Sequence, residues 1–194
     1  MSKLELPVVA NNEAADTCRA CGGECCKQMP GSYHPAQFGP DLEGVYELLK
    51  AGKASIDWWE GDAVRVRQPD GKNRYVPIPH RGYYLRPAIK PGKRNGPPLF
   101  SFMASPDGDG GTFDPSYGGE CVNLGEAGCS LPFDKRPLNC QALTPNPGRN
   151  PDREVYCTTP EEHNKPGLVI AWNPLSPKLE EIGRRVEREK YARV

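Results

Sequence analysis

Eight cysteines in a chain of 194 residues fall into two groups, and this feature limits the possible folds more than any other. The first group is Cys18, Cys21, Cys25 and Cys26, spaced CxxCxxxCC. The second is Cys121, Cys129, Cys140 and Cys157. Ninety-four residues lie between Cys26 and Cys121, so a fold that uses both groups together must bring the ends of that segment to one place. A two-residue spacer lets two thiolates face one ion, and Gly22 and Gly23 permit a tight turn before Cys25. Zinc takes four such ligands in a tetrahedron, so eight thiols suit two four-ligand sites, a bridged metal pair, or one iron–sulfur cluster with spare thiols. Neighbouring side chains diverge in extended backbone, so Cys25 and Cys26 suit two different sites, or a ligand beside a packed thiol.

The composition explains why such staples are needed. Leu, Ile, Val and Phe together make about 18% of the chain, below the usual floor for a well-filled core. Gly (21) and Pro (22) are abundant. The formal net charge is zero, so the high net charge that accompanies disorder is missing, as is the excess of a histone-like or acidic-tail protein. The stretch Met1–Pro7 has no apolar core of a signal peptide, and no run of apolar residues is long enough to span a bilayer. The expectation is a cytoplasmic protein without a membrane partner, in a compartment that keeps thiols reduced and favours metal over disulfides. A buried, unligated cysteine behaves as a small hydrophobe, and that reading weighs most for Cys157, set apart by a long spacer.

The zero balance conceals segregation. Residues 1–64 carry a net −5, 65–96 a net +8, 97–134 a net −6 and 135–194 a net +3. The basic block interleaves Arg65, Arg67, Lys72, Arg74, Arg81, Arg86, Lys90, Lys93 and Arg94 with Tyr75, Tyr83 and Tyr84. Such a pattern can bind single-stranded nucleic acid, but no nucleic-acid motif accompanies it. A basic face that offsets the acidic blocks and the thiolates is preferred. Metal ligation needs thiolates, so eight cysteines on two zinc ions would leave the protein at about −4.

Hydrophobic spacing predicts a helix over 41–51, with Leu42, Val45, Leu48 and Leu49 on one face and Gly52 at its end. A second is predicted over 177–191 from Leu179, Ile182 and Val186, supported by Glu180–Arg184 and Glu181–Arg185 pairs. Strands are expected at 63–68, 75–79, 82–86 and 99–103, and a buried strand at the apolar run 168–172. Residues 90–98 read as a basic loop and 104–119 as surface loop. Cys121–Leu124 and Cys129–Leu131 read as the arms of a hairpin that draws Cys121 and Cys129 together.

These motifs resemble the bacterial cysteine-cluster (YkgJ-like) family of zinc- or iron-chelating domains. The likeness rests on Cys18-Arg-Ala-Cys21-Gly-Gly-Glu-Cys25-Cys26, Glu120-Cys121-Val-Asn-Leu, Gly128-Cys129, Arg136-Pro137-x2-Cys140 and the Pro-rich spacer ending at Cys157. It implies metal binding with no settled activity. Flagellin lysine methylases carry a similar cluster associated with iron–sulfur chemistry, which keeps open a redox or methyl-transfer activity on a partner protein.

Weaker signals add little. Arg136 could donate to cysteine sulfurs or simply precede a helix-starting proline. His34 is the first of three histidines that could replace a cysteine at zinc; His80 and His163 are less favoured. Asp107-Gly-Asp109 echoes a calcium loop but lacks its closing glutamate. No nucleotide-binding loop or nucleophile elbow occurs. Trp58 and Trp59 beside Asp57, Glu60 and Asp62 are expected to pack in a core.

The combined expectation is a polar lead-in at 1–17 and one small, irregular α+β domain at 18–194, stapled by a cysteine metal centre. All eight cysteines are its ligands and zinc its metal, with iron or an iron–sulfur cluster as the alternative. A metal-stabilised interaction module, with a protein partner, is the third reading.

Overall fold

The computed structural model describes residues 16, 22–28, 30–59, 63–77, 81–94, 99–102, 111–114, 119–126, 128–145, 157–158 and 165–192. Within them, helices combine with short antiparallel strand pairs, a mixed α and β architecture. In chain order these are α1 (Glu24–Gln28), α2 (Glu43–Lys50), β1 (Ala54–Trp59), β2 (Ala63–Arg67), β3 (Asn73–Pro77), β4 (Gly82–Pro87), β5 (Ile89–Arg94), β6 (Leu99–Phe102), β7 (Gly111–Asp114), β8 (Gly119–Cys121), β9 (Leu124–Gly125), β10 (Gly128–Cys129), α3 (Leu138–Gln141), β11 (Thr144–Pro145), β12 (Cys157–Thr158), α4 (Lys165–Trp172) and α5 (Ser176–Tyr191). The strands pair β1–β4, β2–β3, β5–β8, β6–β7, β9–β10 and β11–β12. No helix of the described residues is long and apolar enough to cross a membrane.

The apolar core lies where α2, α4 and α5 meet the β1–β4 pair. Leu42, Val45 and Tyr46 from the α2 side, Tyr84 and Leu85 from β4, Val169 and Trp172 from α4, and Leu179, Ile182 and Val186 from α5 are all buried there. Helix α5 follows its predicted stripe, and Glu180 and Arg184 pair at 3.0 Å. Arg185, however, turns to Glu43 and Glu189. Helix α2 begins at Glu43 rather than 41, because Leu42 takes the left-handed conformation (φ 59°) as its side chain enters the core. Only burial of that side chain makes the conformation tolerable for a branched residue.

Three expectations are corrected. The apolar run 168–172 is part of helix α4, not a strand. Leu168, Val169 and Trp172 are buried while Ile170 is exposed, so one helical face explains the run as well as a two-faced strand would. Residues 89–94 form strand β5 despite Pro91 and Gly92, with the pairing to β8 shifting register between Ile89 and Arg94. Residues 111–114 form β7, which pairs with β6. The acidic stretch 103–110 and the Pro-rich stretch 146–156 lie outside the described residues. Of the two tryptophans, Trp59 is buried, while Trp58 stays more than a third exposed against Tyr83.

Candidate metal centre

Residues of the first cysteine group reach the second through a short helix. Gly22 and Gly23 both adopt the left-handed conformation, at φ 62° and 71°, and Cys26 N–H bonds to the Gly23 carbonyl at 2.8 Å. That turn starts α1, which packs on β8. Cys25 and Cys26 are therefore helical, not extended, and their thiols meet. The Cys26 thiol lies within hydrogen-bond reach of the Cys121 and Cys25 sulfurs, and its one S–H can serve only one of them at a time. These contacts push the Cys26 thiol well above its ordinary range. They lower its partners: Cys25, hydrogen-bonded by the Cys26 thiol and then by backbone N–H groups, falls to about 7. Cys121 is lowered by Cys26 first, then by the Asn123 N–H and the positive charge of Arg86.

Cys121 pairs across β5–β8 with Ile89, and Val122 N–H bonds to the Ala88 carbonyl at 2.8 Å. The expected hairpin is shorter than anticipated: β9 pairs with β10, so that Cys129 faces Leu124 and not Cys121. Cys129 and Cys140 nevertheless join the same neighbourhood. Burial, then the negative charges of Cys121, Cys140 and Cys129, raise the Tyr33 hydroxyl above its usual range. Gly31 touches the cluster most closely. A Cβ there would lie 2.1 Å from Cys140 Sγ and 2.5 Å from Asn139 Oδ1, so the chain admits no side chain at this position without displacing a thiol. Asn139 Oδ1 accepts from Ser32 N–H at 2.7 Å, which ties the 30–33 segment to α3.

Cys25, Cys26, Cys121, Cys129 and Cys140 are thiols, not disulfides. Cys18 and Cys21 lie outside the described residues, and Cys157 is placed on β12 with only its backbone described. Among the described residues no group of three or more His, Cys, Asp and Glu side chains is arranged to hold a metal ion. The donors present are free, soft sulfurs, and the Cys25 thiol is lowered to about 7 by the Cys26 thiol beside it.

The surroundings carry charge. Arg86, 5% exposed, donates to Asp57 through Nε and to the Pro87 carbonyl at 2.8 Å. Ser55 Oγ donates to the other Asp57 oxygen at 3.0 Å. Lys90 Nζ reaches Glu120 Oε1 and the Leu124 carbonyl, each at 2.6 Å, and this lysine holds the Glu120 carboxyl below its ordinary range. Two members of the basic block thus neutralise acids beside the thiols. No spacing signal could have exposed the buried Asp57–Arg86 pair, since it depends on the β1–β4 register that sets Ser55 opposite Arg86. His34 is engaged in capping: its Nδ1 accepts from Ala36 N–H at 3.1 Å ahead of a 3₁₀ turn at Pro35–Gln37. His80 and His163 lie outside the described residues. The chain matches no family model, no curated protein and no solved structure.

Proposed function

We propose that this is a cysteine-cluster metal protein that binds zinc through thiolates, with the metal holding the thiol-bearing region together. One observation carries the reading: α1, which bears Cys25 and Cys26, packs on β8, which ends at Cys121, so residues of two cysteine groups that lie far apart in the chain come together. The spacing of the cysteines, the resemblance it carries, and the cradle that Gly31 leaves for Cys140 Sγ support it further. In this reading Cys25, Cys26, Cys121, Cys129 and Cys140 supply ligands with Cys18, Cys21 and Cys157. Zinc bound there would supply cross-linking and no redox chemistry.

Metal and acid-labile sulfide analysis, with a visible spectrum, on full-length protein purified without oxygen tests this directly. The expected result is about two zinc per chain and no colour. Stoichiometric iron and sulfide with a brown chromophore would replace zinc by an iron–sulfur cluster. A folded protein with reactive thiols and no bound metal would overturn the reading.

A further inference from the structure

Helix α3 carries Cys140 but does not cap its own start. It has four residues, Leu138–Gln141, and its N-cap is Pro137, whose ring offers no acceptor to the first N–H groups. The acceptor comes from Gln37, 101 residues earlier in the chain: its Oε1 accepts from Leu138 N–H at 2.9 Å. Its Nε2 donates to the Arg136 carbonyl at 2.9 Å. One amide thus grips the chain on both sides of Pro137. Oε1 also accepts from His34 N–H at 3.0 Å, so both of its lone pairs are used. Reversing the amide would set an NH2 group against two N–H donors and an oxygen against a carbonyl, so the network allows one orientation only.

Gln37 is itself fixed from the side of the apolar core. It closes the 3₁₀ turn Pro35–Gln37, which His34 caps. The next residue, Phe38, lies edge-on to Tyr33 and tilted against the buried Trp172. Tyr33 N–H bonds to the Leu85 carbonyl at 2.8 Å, and Trp172 Nε1–H bonds to the Tyr33 carbonyl, also at 2.8 Å. The same segment meets α3 again through Ser32 N–H, which donates to Asn139 Oδ1 at 2.7 Å. Gly31 then leaves the space beside the Cys140 sulfur, since a Cβ there would lie 2.1 Å from Sγ. The place of Cys140 therefore follows from two features of one segment: the bare Gly31 that admits the sulfur, and the Gln37 amide that fixes the helix bearing it.

We propose that Gln37 is a positioning residue of the metal centre, which seats Cys140 by capping α3 from the apolar region. This rests on the metal-binding reading. Gln141 Nε2 also donates to the Arg136 carbonyl, at 2.7 Å, but Gln141 belongs to α3 and moves with it. Gln37 instead refers that helix to the core.

The test uses the full-length chain, purified without oxygen, as wild type, Gln37→Met and Gln37→Glu. Methionine keeps the length of the side chain and removes its hydrogen bonds. Glutamate keeps the acceptor for Leu138 N–H and removes the donor. Zinc affinity is read by competition with cobalt(II), whose thiolate absorption reports loading, and the alkylation rate of each cysteine by peptide mass spectrometry. Gln37→Met should weaken zinc about 10–100-fold, as loss of an outer-shell partner does. At saturating zinc its Cys140 should react several-fold faster than in wild type, while Cys25, Cys26 and Cys121 keep their wild-type rates. Gln37→Glu should restore most of both. A folded methionine variant with wild-type affinity and a protected Cys140, one whose cysteines are all exposed alike, or a glutamate variant as impaired as methionine, overturns the proposal. A wild type that loads neither cobalt nor zinc overturns the metal reading instead. The metal-free chains then decide the seating alone: a faster Cys140 in Gln37→Met supports it, and an unchanged one overturns it. If the methionine variant fails to fold, the glutamate variant decides: Cys140 protected as in wild type supports the proposal, and Cys140 exposed overturns it.

Discussion

The region built on α2, α4, α5 and the β1–β4 pair and the region built on α1, β5, β8–β10 and α3 differ in what their described residues bury. The first buries Val45, Tyr84, Leu85, Val169, Trp172 and Leu179 almost completely, with the Phe38 ring edge-on to Tyr33 and tilted against Trp172. The second buries Leu124 and Leu138, but beside them Asn123, Arg136 and Ser32, and it carries five free thiols. Burial of apolar area scales with side-chain size, so the first region can stand on the hydrophobic effect. The second has too little apolar surface for that and too many buried polar groups. The contrast teaches that an apolar-poor chain need not be weak throughout: among the described residues its scarce large side chains are concentrated in one place, and in the proposed reading thiolate ligation supports the other.

Removing metal is the strongest way to break that comparison. Structural zinc contributes about 10–16 kcal/mol of apparent binding energy, against about 5–15 kcal/mol for the stability of a whole domain. Chelation should therefore abolish hydrogen-exchange protection in α1, β8–β10 and α3 while α4 and α5 keep theirs. Equal loss in both regions would mean one cooperative unit, and no loss in either would count against a structural metal.

The reciprocal change acts on the other side. Trp172 is fully buried, and its Nε1–H donates to the Tyr33 carbonyl at 2.8 Å. Trp172→Ala should lower unfolding stability by about 3–5 kcal/mol, the usual range for emptying a large aromatic site. Measured by urea titration, that loss should leave metal stoichiometry in the folded fraction unchanged. A parallel loss of metal would merge the two regions energetically.

How much of each region could be read beforehand follows from the same division. Helices α2 and α5 were legible because Val45, Leu48 and Leu49, and Leu179, Ile182 and Val186, repeat at helical spacing beside recognisable ends. The run Leu168–Trp172 was not, since five apolar residues fit either period, and the exposed Ile170 has no mark in the sequence. Strand β5 was hidden by Pro91 and Gly92, which argue for a loop until the partner β8 supplies hydrogen bonds. In the thiol region, the spacing suggests that the two cysteine groups belong together, and α1, with Cys25 and Cys26, packs on β8, which ends at Cys121. It misjudged how. The local turn made Cys25–Cys26 helical, and the register pairs Cys121 with Ile89 and Cys129 with Leu124 rather than with each other. Long-range pairing, invisible in spacing, also placed Arg86 on Asp57.

A finer probe of the thiol region is Gly31→Ala. The added methyl would overlap Cys140 Sγ and Asn139 Oδ1, both short side chains with little room to swing. Overpacking of this kind costs about 1–3 kcal/mol. The expected result is a modest fall in thermal midpoint together with a marked fall in metal affinity, because the displaced atom is a ligand in the proposed centre. A fall in midpoint without any change in affinity would place Cys140 outside that centre.

The smallest effect belongs to the surface of the apolar region. Tyr46 O–H donates to Glu189 Oε2 at 2.7 Å, Lys50 Nζ donates to the Tyr46 oxygen at 2.9 Å, and Arg185 lies 3.8 Å from the Tyr46 ring centre. The Tyr46 hydroxyl first, and then the charge of Lys50, hold the Glu189 carboxyl below its ordinary value of 4.5. A carboxyl lowered in the folded state stabilises it at pH values above the unfolded value, and this contribution disappears as pH falls through the lowered one. The wild type should therefore have a slightly higher thermal midpoint than Glu189→Gln at neutral pH, and the difference should close as the pH is taken down below 4.5. Because these groups are solvent-exposed, added salt should shrink the difference too. The thiol region offers the control: a metal held there by thiolates would leave as they protonate, a process independent of Glu189. Two separate acid transitions, with only the lower one altered by Glu189→Gln, would keep the regions distinct. A single transition would show that protonating the thiols already undoes the helices.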